Sequence, residues 1–349
     1  MQTKRILVLR LSSLGDVILC SSFLRGLREH FPGAAIDYVV RQDLEPVAAM
    51  LPGVERIITI ERNAGLAGLV RRSGELAARD YAHVFDLHQS VRSRLLVSRM
   101  RSRVRPGFAK QLIPRWALVH LHRDWYGRFG GARALRERML EPLRRLGLPA
   151  RVQPTELLVP ETARREAATL LERAVPSASR WIGVVPGARW PSKRWPGFAE
   201  LVPALAADGD SAFAVLGSQE EAPLASAVAR VSGPRSVSFA GRLDLAGTAA
   251  VLERCELVIT NDSGLLHMAE AVGRPVLAFW GPTSPAFGYT PYRPESRFLY
   301  HPPRCSPCSK NGSRPCHRPT HECMLNITVR EAAEAVVRMR AGGEARTRP

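Results

Sequence analysis

Along this chain short apolar runs alternate with stretches of helical spacing, and the alternation occurs in two series. KRILVLRL (4–11) reads as a continuous strand, Val17–Phe31 places Leu24, Leu27 and Phe31 one turn apart, and IDYVV (36–40) follows as the next strand. This is a βαβ unit. RIITIE (56–61) and HVFDL (83–87) continue the strands, with amphipathic Leu66–Arg79 between them. Beyond Arg92 the pattern becomes basic and less regular. A second series begins after the Pro-bounded segment Pro154–Pro160: WIGVVPG (181–187), AFAVLG (212–217), VSFAG (237–241), ELVIT (256–260) and PVLAFWG (275–281). Helical stretches Phe198–Ala207, Glu220–Arg230, Ala246–Arg254 and Leu265–Val272 fill the gaps. Strands apolar on both faces and separated by helices predict a doubly wound parallel sheet. The expectation is therefore α/β, with one such domain over 1–160 and a second over 161–327. Thr328–Met339 sets residues 328–349 apart as a C-terminal helix and tail, with the first domain as its expected packing partner. The last nine residues, AGGEARTRP, lack apolar periodicity.

A length of 349 residues suits two domains and the cleft between them. No run approaches the ~18 apolar residues of a membrane span, and Arg10 and Asp16 interrupt the N-terminal one, so the expectation is a protein neither secreted nor membrane-spanning. The net charge of +18 is uneven: residues 88–145 hold fifteen Lys or Arg against three Asp or Glu. Such a segment calls for an anionic partner, and nucleic acid, a membrane surface and a phosphorylated glycolipid all qualify. A solvated Arg-rich face is the plainer alternative.

In open α/β sheets ligands bind beyond the carboxyl ends of the strands. The first such turn, Ser12-Ser13-Leu14-Gly15-Asp16, lacks the GxGxxG of a dinucleotide site and offers a carboxylate. Asp16 can serve as a general base or simply cap the following helix. The turn Pro186–Pro196 carries Lys193 and Arg194, suited to nucleotide phosphates or to a plain basic loop. Asp262-Ser263-Gly264 ends a strand and opens a helix, which presents backbone N–H groups to an anion; His267 follows one turn later. A capping turn would look alike. Lastly, C-x2-C at Cys305 and Cys308 followed by Cys316 and Cys323 points to one structural tetrahedral site for zinc or iron, with gaps that are not a standard zinc-ribbon spacing and with free thiols or a disulfide as alternatives.

Taken in order, RILVLRLSSLGDVILCSSFLRGLREHFP, PGARWPSKRWPGFAELV and LVITNDSGLLHMAEAVGRPVLAFWGPTSP resemble glycosyltransferase family 9, the heptosyltransferases of lipopolysaccharide core assembly. The resemblance runs from Arg5 to about residue 335, and the segment ending HECM looks like the branch that adds the second heptose. It implies a GT-B fold with the acceptor in the first domain and ADP-heptose in the second, and inverting transfer with no cofactor for catalysis. Asp16 becomes the base, and Lys193 with Arg194 the counter-charge to the leaving diphosphate. Asp262, Ser263, Gly264 and His267 hold the donor, Glu221 or its neighbour Glu220 falls near a ribose-binding carboxylate, and Arg92 faces a lipid-linked anionic glycan. A cytoplasmic enzyme touching the inner membrane surface follows, with no specific nucleic-acid partner. Another nucleotide sugar, a protein acceptor, an epimerase or a basic nucleic-acid-binding protein with a zinc module are the competing readings.

Overall fold

The computed structural model describes residues 4–101, 104–207, 211–318 and 320–347. The chain divides into two compact units, Met1–Lys110 with Leu135–Leu158, and Gln111–Ala134 with Val159–Pro349.

The first unit holds a parallel sheet in the order β3-β2-β1-β4-β5, formed by β1 Arg5–Leu9, β2 Ala35–Arg41, β3 Arg56–Ile60, β4 His83–Asp86 and β5 Val104–Pro106. Ile6, Leu7, Val8 and Leu9 are wholly buried, as a central strand covered on both faces requires. The buried Asp37 on β2 accepts a 2.7 Å bond from the Tyr81 hydroxyl, with the Arg79 guanidinium at 3.5 Å. Strand order reverses between β1 and β4, where Leu9 pairs with Asp86. Ligand crevices form at such reversals.

The second unit holds the parallel order β11-β10-β9-β6-β7-β8. Its strands are β6 Arg180–Val185, β7 Ser211–Val215, β8 Ser236–Ser238, β9 Leu257–Asn261, β10 Val276–Trp280 and β11 Arg297–Tyr300. The reversal lies between β6 and β9, with Val185 opposite Thr260. Both edge strands β5 and β11 went unpredicted, because three or four residues beside charged neighbours carry little periodic signal.

Two expectations about organisation change. Residues 111–134 leave the first domain for the second unit, where Val119 and Tyr126 bury against Phe287 and the Arg115 guanidinium lies 5.5 Å from the Phe287 ring centre. The final helix, Val329–Thr347, also belongs to the second unit: Ala332, Ala335 and Val336 enter the core containing Trp195, Phe198 and Phe279. Arg340 pairs with Glu256 at 2.9 Å. This helix runs past Met339, through two glycines that no apolar stripe accompanies. No helix among the described residues is long and apolar enough to cross a membrane.

Candidate functional site

In the first unit, the candidate chemistry gathers at the exits of β1 and β4. Arg10 directly follows β1 as a buried cation after the apolar run Ile6–Leu9. Its Nη2 lies 2.6 Å from Asp16 Oδ1, and its Nη1 donates to the Leu87 carbonyl at 2.5 Å. Asp16 Oδ2 accepts from the Ser13 amide at 2.9 Å and the Ser13 hydroxyl at 2.7 Å. Asp16 thus does cap the Leu14–His30 helix, in a Ser13/Asp16 capping box, and is also held by a buried guanidinium. Two nearly buried charges of opposite sign, each with further hydrogen bonds, compensate one another's desolvation.

Beyond β4, the Asp86 carboxylate accepts from the His88 and Gln89 amides and the Ser93 hydroxyl, closing the turn toward Arg92. Arg92 then donates to the carbonyls of Arg62 at 2.7 Å and Glu61 at 2.9 Å. Its guanidinium braces the loop after β3, a role the sequence did not suggest. Ser12, Arg41, Arg62, His88 and Arg92 line a cavity of about 280 Å³. Arg41 is itself paired with Asp43.

His88 is a site residue that the sequence reading missed. Burial, then the Arg10 and Lys110 cations, pushes its imidazole down to about 4 from an ordinary 6.5. Between those values the unfolded chain binds a proton that the folded chain refuses. Stability contributed by neutral His88 is complete above pH 6.5 and falls as pH drops toward 4, by up to about 1.4 kcal/mol per pH unit. His88→Asn should flatten this limb in denaturant melts; an unchanged slope would mean that the ring titrates as though in water.

In the second unit, the exits of β6 and β9 bring Lys193 and Asp262 together across sixty-nine residues, Nζ to Oδ2 at 2.5 Å. The Thr283 hydroxyl donates to the same Oδ2 at 2.8 Å. Behind them, Asn261 Nδ2 donates to the carbonyls of Pro186 and Gly187 while its Oδ1 accepts from the Trp195 amide, tying the two turns into one piece. Trp195 is a packing residue, with its indole N–H on the Ile327 carbonyl and its ring centre 4.2 Å from that of Phe279. Arg194 donates to the Ala188 carbonyl at 3.1 Å. Of the two adjacent acids, Glu220 is exposed and Glu221 turns inward, accepting from the Ser218 amide. A Cβ at Gly187 would lie 2.3 Å from the Glu221 carboxyl, so only glycine admits that approach.

Ser263 precedes the Gly264–Ala271 helix, and its hydroxyl lies 3.2 Å from that of Thr260. His267 is buried one turn into the helix, its ring centre 6.2 Å from that of Tyr289. Glu270, fully buried, accepts from the Tyr292 and Arg293 amides and the Ser296 hydroxyl, which fixes the neighbouring loop.

The expectation of one zinc or iron site on Cys305, Cys308, Cys316 and Cys323 finds no support in the structure. All six cysteines are free thiols, and among the described residues no three or more His, Cys, Asp or Glu side chains are arranged to hold a metal ion. Cys323 is instead core, packed with Met324 beneath Gly281, and the Cys308 thiol contacts the Cys305 carbonyl. Burial foremost, then the neighbouring cysteines, pushes the Cys323 thiol up to about 12 and also raises that of Cys308. The segment braces the Lys193 turn: Ser192 Oγ donates to the Gly312 carbonyl at 2.5 Å, and the His321 ring donates to the Ser192 carbonyl at 2.7 Å. Gly312, at φ +83°, lies flat against the Lys193 stem, where a Cβ would come within 2.8 Å of Cε.

Comparison with known proteins places this geometry in a family. The profile of glycosyltransferase family 9 (heptosyltransferase) matches residues 70–317, well over half the chain. The chain belongs to glycosyltransferase family 9. Lys193, Asp262 and the Ser263 turn fall inside that match and Asp16 lies before it. Lipooligosaccharide heptosyltransferase 2 of Haemophilus influenzae is 29% identical over 321 residues, covering 82% of this chain and 85% of its own. Lipopolysaccharide heptosyltransferase 1 of Pseudomonas aeruginosa is 28% identical, covering 91% and 89%. The solved structure of Escherichia coli ADP-heptose lipopolysaccharide heptosyltransferase II superposes with a TM-score of 0.74 at 20% identity, covering 97% and 99%. The family 9 chain thus has the GT-B fold, two Rossmann-like parallel sheets, and is a glycosyltransferase.

Proposed function

We propose that this glycosyltransferase moves heptose from ADP-heptose to a hydroxyl of a lipopolysaccharide core acceptor, with inversion and without a catalytic metal. The observation that carries the reading is the placement of one oppositely charged pair at the reversal point of each sheet, Arg10–Asp16 and Lys193–Asp262. Asp16 takes the proton of the acceptor hydroxyl as its oxygen bonds to the anomeric carbon. The bond from that carbon to the diphosphate breaks, and ADP leaves with the electron pair, its growing charge met by Lys193 and supported by Arg194. Asp262 and Thr283 position the Lys193 ammonium, Ser263 and Gly264 offer the phosphates a helix N-terminus, His267 stands one turn behind, and Glu221 rather than exposed Glu220 faces the ribose. Arg92 holds the loop that shapes the acceptor cavity. The acceptor is a lipid-linked anionic glycan, consistent with the basic stretch 88–145, and the enzyme works on the cytoplasmic side, against the inner membrane surface. The relatives named as lipopolysaccharide and lipooligosaccharide heptosyltransferases support this choice of sugar and acceptor.

The test is ADP release from ADP-heptose with truncated lipopolysaccharide acceptors, run with and without EDTA and beside UDP- and GDP-sugars. Acceptor-dependent release from ADP-heptose alone, undiminished by EDTA, is expected. Transfer from a UDP- or GDP-sugar in its place would overturn the donor, and loss in EDTA would overturn the metal-free chemistry.

A further inference from the structure

The Leu112–Leu121 helix carries an apolar face that the fold leaves bare. Leu112 is 65% exposed, Ile113 56% and Trp116 52%. At 100° per residue these three and His120 share an arc of about 100°. Pro114, Ala117 and Val119, which oppose or border that arc, are buried. The Trp116 and His120 rings lie 5.4 Å apart. Leu121 at the helix end and Phe129 in the next turn are also about half exposed, at 44% and 45%. Single exposed apolar side chains need no explanation, but several on one short element mark a contact surface.

Charge identifies the partner. Residues 110–134 contain Lys110, Arg115, Arg123, Arg128 and Arg133 against the single acid Asp124. Arg123 and Arg128 are exposed, and the Arg128 guanidinium lies 5.7 Å from the Trp125 ring centre. A two-fold contact with a second copy would set these arginines against themselves. An anionic lipid surface instead accepts both parts, the apolar face among the upper acyl chains, with Trp at the headgroup level and the guanidinium groups on the phosphates.

We infer that the Leu112–Leu121 helix and the turn after it form the element that docks the protein on an anionic phospholipid surface. The inference rests on the lipid-linked acceptor proposed above, and it supplies the means by which that acceptor is met in the plane of the bilayer. Because binding to lipid is read without catalysis, failure of the heptosyl-transfer assay and failure of docking are separate results.

The experiment uses the full chain and vesicles of phosphatidylglycerol mixed with phosphatidylcholine, against vesicles of phosphatidylcholine alone. Co-sedimentation is expected on the mixed vesicles only, weakening with salt. Leu112→Ser with Ile113→Ser and Trp116→Ser should reduce partitioning at least about 10-fold, as should Arg123→Glu with Arg128→Glu. Both variants should melt as the wild type does, and the triple variant should release ADP at the wild-type rate with a delipidated acceptor. Brominated lipid should quench wild-type fluorescence more than that of Trp116→Phe. Wild-type indifference to phosphatidylglycerol, unchanged partitioning of the triple variant, or a wild-type dimer that the triple variant dissociates would each overturn the assignment, the last by giving the face to a second copy.

Discussion

Asp16→Asn should lower kcat ~10²–10⁴-fold while ADP binds as tightly as before. Asparagine has nearly the volume of aspartate and can still accept from Ser13, so the capping turn survives. What disappears is the basic oxygen and the charge facing Arg10. With the amide oxygen kept by Ser13, an NH2 donor faces the buried guanidinium where a carboxylate oxygen stood, so unfolding free energy should also fall by about 2 kcal/mol. Arg10→Met combined with Asp16→Leu separates the two effects. Replacing a buried ion pair by apolar groups removes the uncompensated charge, so the double variant should recover most of the stability and none of the transfer. Single-turnover rates decide the matter: an asparagine variant within tenfold of wild type would remove Asp16 as the base, and a double variant that regained transfer would do the same.

Lys193→Ala should cost ~10²–10³-fold in kcat, the effect of removing one preorganised group from a developing negative charge. It should also weaken ADP binding for a reason specific to this site. The ammonium neutralises the largely buried Asp262 carboxylate, which without it would repel the diphosphate. Removing both, Lys193→Ala with Asp262→Ala, should therefore restore ADP affinity relative to Lys193→Ala alone while transfer stays lost, a coupling on the order of 1–3 kcal/mol. Lys193→Arg should rescue little, because the stem already lies against Gly312 and a planar fork needs more room than an ammonium. Calorimetric ADP titrations measure the first quantity and ADP release the second. Wild-type turnover in Lys193→Ala would end the proposed role of the lysine, and strictly additive effects would end that of Asp262.

Much of the fold was legible before any coordinates. β1, β6, β9 and β10 are dominated by apolar runs because a parallel strand is covered on both faces, and that demand writes itself into consecutive residues. The site turns were legible as well, since strand exits in a doubly wound sheet must fall where the runs stop. Arg10 gave a signal: a cation directly after a buried strand requires a partner, and Asp16 is the nearest acid along the chain. His88 gave none, because its neutral state depends on burial and on Arg10 and Lys110, which come from other elements.

The sequence by itself thus determined the two sheets, the turns at their carboxyl edges and the family, all of them properties of contiguous residues. Only the tertiary structure decided that Lys193 meets Asp262, that Glu221 turns inward and Glu220 outward, and that Arg92 braces a loop. It alone moved residues 111–134 and the last helix to the second unit and packed Cys323 into the core. The physical reason is common to these cases. An apolar stripe or a charged side chain records that a partner is needed, but many partners satisfy the same demand. The one chosen depends on which surfaces the closed sheets bring within a few ångströms, and no local pattern of residues contains that information.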